Sequence, residues 1–157
     1  MNMSFSEKSA WISLVIIFYI WGDYALGLVG LHNSAIDMED KKSLALQMIN
    51  IAIIAVIIVE SVFHAVLAMA HPKPSEQAGD ERDKLISLKA TSPAYAVLFT
   101  AVVLGIGHLL IIEQFEQFAE GSSLNIPFIG VHILLFGALI AEIVRFAMMI
   151  KEYRLGV

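Results

Sequence analysis

The sequence predicts an all-α membrane protein in which one domain, residues 1–157, forms a four-helix transmembrane bundle. The first observation is composition: 58% of the residues are hydrophobic, 16% are charged and the mean hydropathy is +0.75, which is too apolar for a soluble domain of this size. The second is the stretch 48–69, which carries one carboxylate and one imidazole and is otherwise almost wholly apolar. At about 1.5 Å per residue its length of about 22 residues spans roughly 33 Å, enough to cross a bilayer core.

Four apolar stretches predict the spans, at about 11–29, 48–69, 94–112 and 128–150, with a longer aqueous loop over 70–92. The later half of this loop is either a short amphipathic helix at the level of the lipid headgroups or a plain solvated segment. Ser92 and Pro93 predict an N-cap and first turn for the third span, because a proline at the first helical position gives up only an amide that would have had no partner. Asn125 and Pro127 predict the start of the fourth span in the same way. All four prolines then fall in loops or first turns, which agrees with four uninterrupted helices.

The placement of basic residues predicts the orientation. Two lysines, Lys41 and Lys42, lie between the first two spans. The other eight lie on the opposite side, and they are Lys8, Lys73, Arg82, Lys84, Lys89, Arg145, Lys151 and Arg154. By the positive-inside rule, both termini are expected in the cytoplasm.

Composition also excludes several function classes. The net charge of −5 argues against nucleic acid as a partner, since phosphate binding needs clustered Lys and Arg. Without cysteine there is no disulfide, thiolate nucleophile or iron–sulfur site. Any metal chemistry would therefore use histidine and carboxylates.

Short sequence repeats raise the question of duplication. SEKSAWISL precedes the first span and DERDKLISL precedes the third. One interpretation is two tandem helical hairpins related by an axis along the membrane normal. The other is that any two helices starting at the inner leaflet share such features, and the sequence leaves both open.

An inner layer of polar residues is expected toward the cytoplasmic side. Glu60 and His64 on the second span lie roughly 14 and 8 Å from the cytoplasmic end by helical rise, and Glu142 and Arg145 on the fourth lie at about the same depths. Arg145 is expected to reach Glu60 or to pair with Glu142 on its own helix. With Tyr95, these residues form the predicted buried polar cluster, which either fixes helix packing or relays a proton or cation.

An outer layer is expected near the far surface. Asp23, His108 and His132 lie at similar depth, with Glu113 near the rim. They could bind Zn²⁺ or another divalent metal, or His108 and His132 could be axial ligands of a haem. The alternative is that each histidine makes an interhelical hydrogen bond and that the protein has no cofactor.

Two further features bear on partners. The charged segment Asp80, Glu81, Arg82 and Asp83 could dock a cytoplasmic protein. Two pairs of small residues, Ala101 with Gly105 and Gly137 with Ala141, predict close helix approach within the chain or between copies, which favours a homo-oligomer in the lipid bilayer.

No catalytic residue is indicated. The sequence shows no His–carboxylate arrangement that would make Ser13, Ser61 or Ser87 a nucleophile.

A resemblance supports the architecture. The box DERDKLISLKA, the following SPAYAVLF and the last span LIAEIVRFAMMIKEYRLG resemble an uncharacterised family of small four-span bacterial inner-membrane proteins with a DERD box before the third span. The resemblance covers mostly the second hairpin. It implies a bacterial inner membrane and four helices. It also implies one connected feature at the inner face of the membrane, made up of Asp80, Glu81, Arg82, Tyr95, Glu142 and Arg145. It implies no activity, so the prediction is a non-enzymatic membrane protein whose buried polar cluster handles a proton, cation or small ligand.

Overall fold

The structure contains four long helices and is an all-α bundle, which confirms the predicted fold class. The computed structural model describes residues 3–70, 81–114 and 127–156, with side chains as far as residue 111 in the third helix. The helices are α1 (Phe5–Asn33), α2 (Met38–Ala70), α3 (Glu81–Gln114) and α4 (Ile129–Leu155). Each holds an 18-residue window with a mean hydropathy between 1.9 and 2.5, so each is long and apolar enough to cross a membrane.

Polar side chains define the start of the first two helices. The hydroxyl of Ser4 accepts a hydrogen bond from the amide of Glu7 at 3.1 Å, which caps α1. Asp37 accepts from the amide of Asp40 at 2.9 Å, one residue before α2 begins. α2 begins at Met38, well before residue 48. The connection between α1 and α2 is therefore much shorter than the loop expected between the predicted spans 11–29 and 48–69.

The predicted start of the third helix is wrong. Pro93 lies inside α3, which already includes residues 81–92, so this segment is helical and not part of an open loop. A proline in a helix removes the hydrogen bond to the carbonyl four residues earlier, here that of Lys89. Membrane helices tolerate this loss when neighbouring groups satisfy the freed carbonyl. The rest of the expected loop, residues 71–80, lies outside the described residues.

The helices pack in the order α2, α1, α4, α3. The main contacts join α3 to α4, α1 to α2, and α1 to α4. The core therefore forms around the two central helices, and its buried residues are Ala10, Ile17, Trp21, Tyr24, Leu28, Ala52, Ile86, Ala90, Phe146, Met149, Ile150 and Tyr153.

Small residues bring α3 and α4 close together. The sequence predicted such close helix approach either within the chain or between copies, and here it occurs within the chain. A Cβ added to Gly137 would overlap the Cβ of Ala101. A Cβ on Gly105 would lie 2.6 Å from Leu134 Cδ2. The glycines are therefore needed for this helix–helix distance.

Candidate functional site

A polar cavity lies between α1, α2 and α4 at the end of the bundle that holds the described chain ends. Its volume is about 330 Å³. Three serines, one carboxylate, one imidazole and one guanidinium contribute to its wall, alongside apolar side chains. The lining residues are Phe5, Ser6, Ser9, Ala10, Ser13, Glu60, His64, Arg145, Phe146 and Met149. We call this space the termini-end cavity.

His64 is held between two hydroxyls of α1. Its Nδ1 lies 3.4 Å from Ser9 Oγ, and its Nε2 lies 3.1 Å from Ser13 Oγ. Ser6, Ser9 and Ser13 are three and four residues apart, which places them on one face of α1. The imidazole therefore has a hydroxyl partner at each ring nitrogen.

The predicted buried cluster of Glu60, His64, Glu142 and Arg145 is brought together in part, but it is not buried, because Glu142 is exposed and the other three are half-buried. Glu60, His64 and Arg145 line the same cavity. Arg145 forms its ion pair with Glu142, one turn away on α4, through Nε and Nη2 at 2.9 and 2.8 Å from one carboxylate oxygen. Of the two pairings expected for Arg145, the structure contains the one within α4.

Tyr95 does not join this cluster. Its side chain is 64% exposed and stacks on Phe99 with ring centroids 6.3 Å apart. The prediction for Tyr95 is wrong because its position on α3 turns it away from the helices that enclose the termini-end cavity.

The serines of α1 were missed from the sequence. Ser13 has a histidine partner, a contact that the sequence did not indicate. The other nitrogen of His64 faces Ser9 and not a carboxylate, so the described residues form no Ser–His–carboxylate relay here. The signal that could have found this site is the helical spacing of the three serines.

The predicted outer metal site is not assembled. The described part of the chain contains no group of three His, Cys, Asp or Glu side chains that could hold a metal. His132 is buried, and its Nδ1 lies 2.9 Å from the hydroxyl of Tyr24. The ring of His108 packs near Gly130, and Asp23 lines a separate pocket between α1 and α2.

Two parts of the outer-layer prediction stay open. The side chain of Glu113 lies outside the described residues. Haem ligation by His108 and His132 also stays a prediction. The contact between His132 and Tyr24 is an interhelical hydrogen bond, which is the alternative that the sequence left open for the histidines.

A second polar cluster ties α1, α3 and α4 together beyond the cavity. Asp83 accepts hydrogen bonds from the hydroxyls of Tyr153 at 2.6 Å and Ser6 at 3.0 Å. Arg82 donates to the carbonyl of Tyr153 at 3.5 Å. Tyr153 is buried, and its hydroxyl is the donor in its contact with Asp83, because an ionised carboxylate can only accept hydrogen bonds.

These contacts bear on the predicted docking segment. Arg82 and Asp83 are engaged with other helices of the same chain, whereas Glu81 is exposed and Asp80 lies outside the described residues. The segment therefore contributes to packing of the bundle itself.

Comparisons of the chain with models of protein families, with curated proteins and with solved structures found no match. The resemblance to four-span bacterial inner-membrane proteins with a DERD box stays a prediction. Inference about function accordingly rests on the geometry of the termini-end cavity.

Proposed function

We propose that this chain is a non-enzymatic, multi-pass protein of a bacterial inner membrane, with cytoplasmic termini, and that its termini-end cavity takes up and releases a proton at His64. The four apolar helices support the membrane setting. The excess of basic residues at the end that holds the termini supports the orientation. The position of His64 between two serines supports the chemistry.

The two serine contacts carry the proposal. A neutral imidazole has one donor and one acceptor nitrogen, whereas the imidazolium has two donors. Ser9 and Ser13 hydroxyls can each rotate to donate or accept. His64 can therefore gain a proton by reversing one hydrogen bond, without losing either contact.

The charges around His64 suit this change. Glu60 lies one turn away on the same helix, and α4 contributes Arg145 with its partner Glu142. From α1, the lining residues contribute hydroxyls and apolar groups only. Two carboxylates and one guanidinium leave one net negative charge, which an imidazolium would neutralise. This balance favours uptake of a proton or another small cation over an anion.

The proposal is tested by titrating the protein in lipid nanodiscs. As the pH is lowered, we expect the ring nitrogens of ¹⁵N-labelled His64 to convert reversibly to the imidazolium form, in which both nitrogens are donors. Potentiometric titration of His64→Gln over the same pH range should show one proton fewer taken up per chain. Glutamine is the matched substitution because it keeps a polar side chain beside the serines.

A role limited to packing gives a different result. In that case the His64 nitrogens keep their neutral signals across the range while the fold stays intact, and proton uptake by His64→Gln equals that of the wild type. Either observation would overturn the proposal.

The rival functions have less support. Docking of a cytoplasmic partner through residues 80–89 competes with the contacts that Arg82 and Asp83 already make within the chain. Self-association through Ala101 and Gly137 competes with the α3–α4 interface in the same way. A homo-oligomer, if formed, would use other faces of the helices.

A further inference from the structure

A second pocket lies between α1 and α2, away from the termini-end cavity, and has a volume of about 580 Å³. It is lined by Tyr19, Ile20, Asp23, Tyr24, Leu26, Gly27, Met48, Ile51, Ala52 and Ala55. All ten residues fall within the predicted first and second spans. The volume lies in the range of small-molecule sites, about 300 to 1,000 Å³. We call this space the α1–α2 pocket.

Small residues leave this space open where the two helices meet. α1 and α2 approach closely at Gly27, where an added Cβ would lie 2.5 Å from Met48 Cε. Further along α2, Ala52 and Ala55 contribute only methyl groups to the wall. The result is a recess whose wall is mostly aliphatic and aromatic.

The polar side chains of the wall are few, and none of them is basic. They are the carboxylate of Asp23 and the hydroxyls of Tyr19 and Tyr24, with no basic side chain among the lining residues. The Tyr24 hydroxyl is already bound to His132 Nδ1 at 2.9 Å, which fixes the ring in place. Asp23 has no side-chain partner within the described residues.

Asp23 lies on an exposed face of α1 within the predicted first span, so its carboxylate faces either the lipid or the open side of the pocket. Charged groups within spans are costly unless they pair with another group or reach water. A bare metal ion is a poor fit, because the described residues provide no set of three ligating side chains and hard cations need several oxygen ligands. A cation carried on an apolar body matches both the carboxylate and the wall, and aromatic faces such as that of the exposed Tyr19 attract such cations.

We propose that the α1–α2 pocket binds a lipophilic organic cation, whose charged centre pairs with Asp23 and whose apolar groups lie against Tyr24, Met48 and Ala52. The ligand reaches the pocket from the lipid phase, between α1 and α2. This site is independent of proton uptake at His64.

The experiment measures binding of tetraphenylphosphonium to the purified full chain in detergent micelles by equilibrium dialysis, with protein-free micelles as the blank. We expect saturable binding of one cation per chain. In Asp23→Asn the affinity should fall about tenfold or more, because the charge pair is lost from an apolar site. Tetraphenylborate, which has nearly the same shape and the opposite charge, should show no saturable binding when it is dialysed alone, without the cation with which it would form an ion pair.

Matched variants separate the pocket from general effects. Glu39→Gln removes one carboxylate from an exposed position at the start of α2 and should leave the affinity unchanged within roughly twofold. Ala55→Phe fills the pocket and should weaken binding about as much as Asp23→Asn, whereas Ala147→Phe on an exposed face of α4 should not. The Ala55→Phe comparison tests the site independently if Asp23→Asn folds poorly.

Three outcomes would overturn the proposal: no saturable binding by the wild type, binding by Asp23→Asn and Ala55→Phe as tight as by the wild type, or saturable binding of tetraphenylborate alone. None of them bears on the His64 titration, so the two proposals stand or fall separately.

Discussion

The ion pair between Glu7 and Arg154 shows how single residues close the end of the bundle. Glu7 is buried, and its carboxylate lies 2.7 Å from Nε of Arg154, whose side chain is 43% exposed. A buried carboxylate without a cation is strongly unfavourable, so the pair matters more through the cost of breaking it than through its net attraction. The nearby contacts of Tyr153 and Ser6 with Asp83 join the same two chain ends to α3.

We expect Arg154→Met to lower the free energy of unfolding by about 1 to 3 kcal/mol, the cost of leaving a buried polar group unsatisfied. The measurement is reversible unfolding in mixed micelles. Lys89→Met is the control, because its ion pair with Glu152 at 3.4 Å is largely exposed on the lysine side and should contribute about 0 to 1 kcal/mol. Equal losses in the two variants would contradict a special role for Glu7.

At the scale of elements, the α3–α4 pair depends on the absence of side chains at the contact. Gly137 lies so close to Ala101 that even a methyl group would force the helices apart. Within a bilayer, the hydrophobic effect contributes little to helix association, because lipid tails are as apolar as the side chains. Close van der Waals packing of this kind is therefore a main source of stability for the helix pair.

Gly137→Ala should therefore destabilise the protein by about 1 to 3 kcal/mol through overpacking. Gly107→Ala, on α3 at a site where an added Cβ meets nothing within 4 Å, is the matched control. It should be neutral or stabilising by up to about 1 kcal/mol, because alanine is the better helix former. Thermal or denaturant unfolding of both variants checks this, and a loss in Gly107→Ala as large as in Gly137→Ala would refute the contact argument.

The sequence predicts the four helices well because long apolar runs have few alternatives in lipid. It fails at Pro93, since the serine–proline pair is typical of a helix start while the preceding residues 81–92 are themselves compatible with a helix. Local signals cannot show whether neighbouring groups compensate for a proline in the middle of a helix.

The sequence predicted the ionisable residues of the candidate site but not its serines. Glu60, His64 and Arg145 stand out because ionisable residues are rare in spans, and they do share a cavity. Ser9 and Ser13 do not stand out, because serine is common in membrane helices. Their role depends on the rotation of α1 against α2, which hydropathy leaves undefined when every face is apolar.

At the scale of the whole molecule, the helix order places α1 and α4 in the middle and the described chain ends at one end of the bundle. The basic residues near that end support the proposed orientation. The absence of cysteine makes this straightforward to test with single introduced thiols.

Leu155→Cys and Asn33→Cys place one thiol at each end of the bundle, both at exposed positions. In bacterial spheroplasts we expect a membrane-impermeant maleimide to label Asn33→Cys and not Leu155→Cys, with the reverse in inverted vesicles. Labelling is read by a mass shift on a gel. Modification of Leu155→Cys in intact spheroplasts would reverse the proposed orientation.

The central contact between α1 and α4 joins the first and the last of the four described helices. While a ribosome is still making α3, one flank of α1 lacks this neighbour, and the guanidinium that pairs with the Glu7 carboxylate is translated 147 positions later. The α1–α4 interface can therefore close only after α4 has been made. A nascent chain that stops before α4 would leave the Glu7 carboxylate without this ion pair.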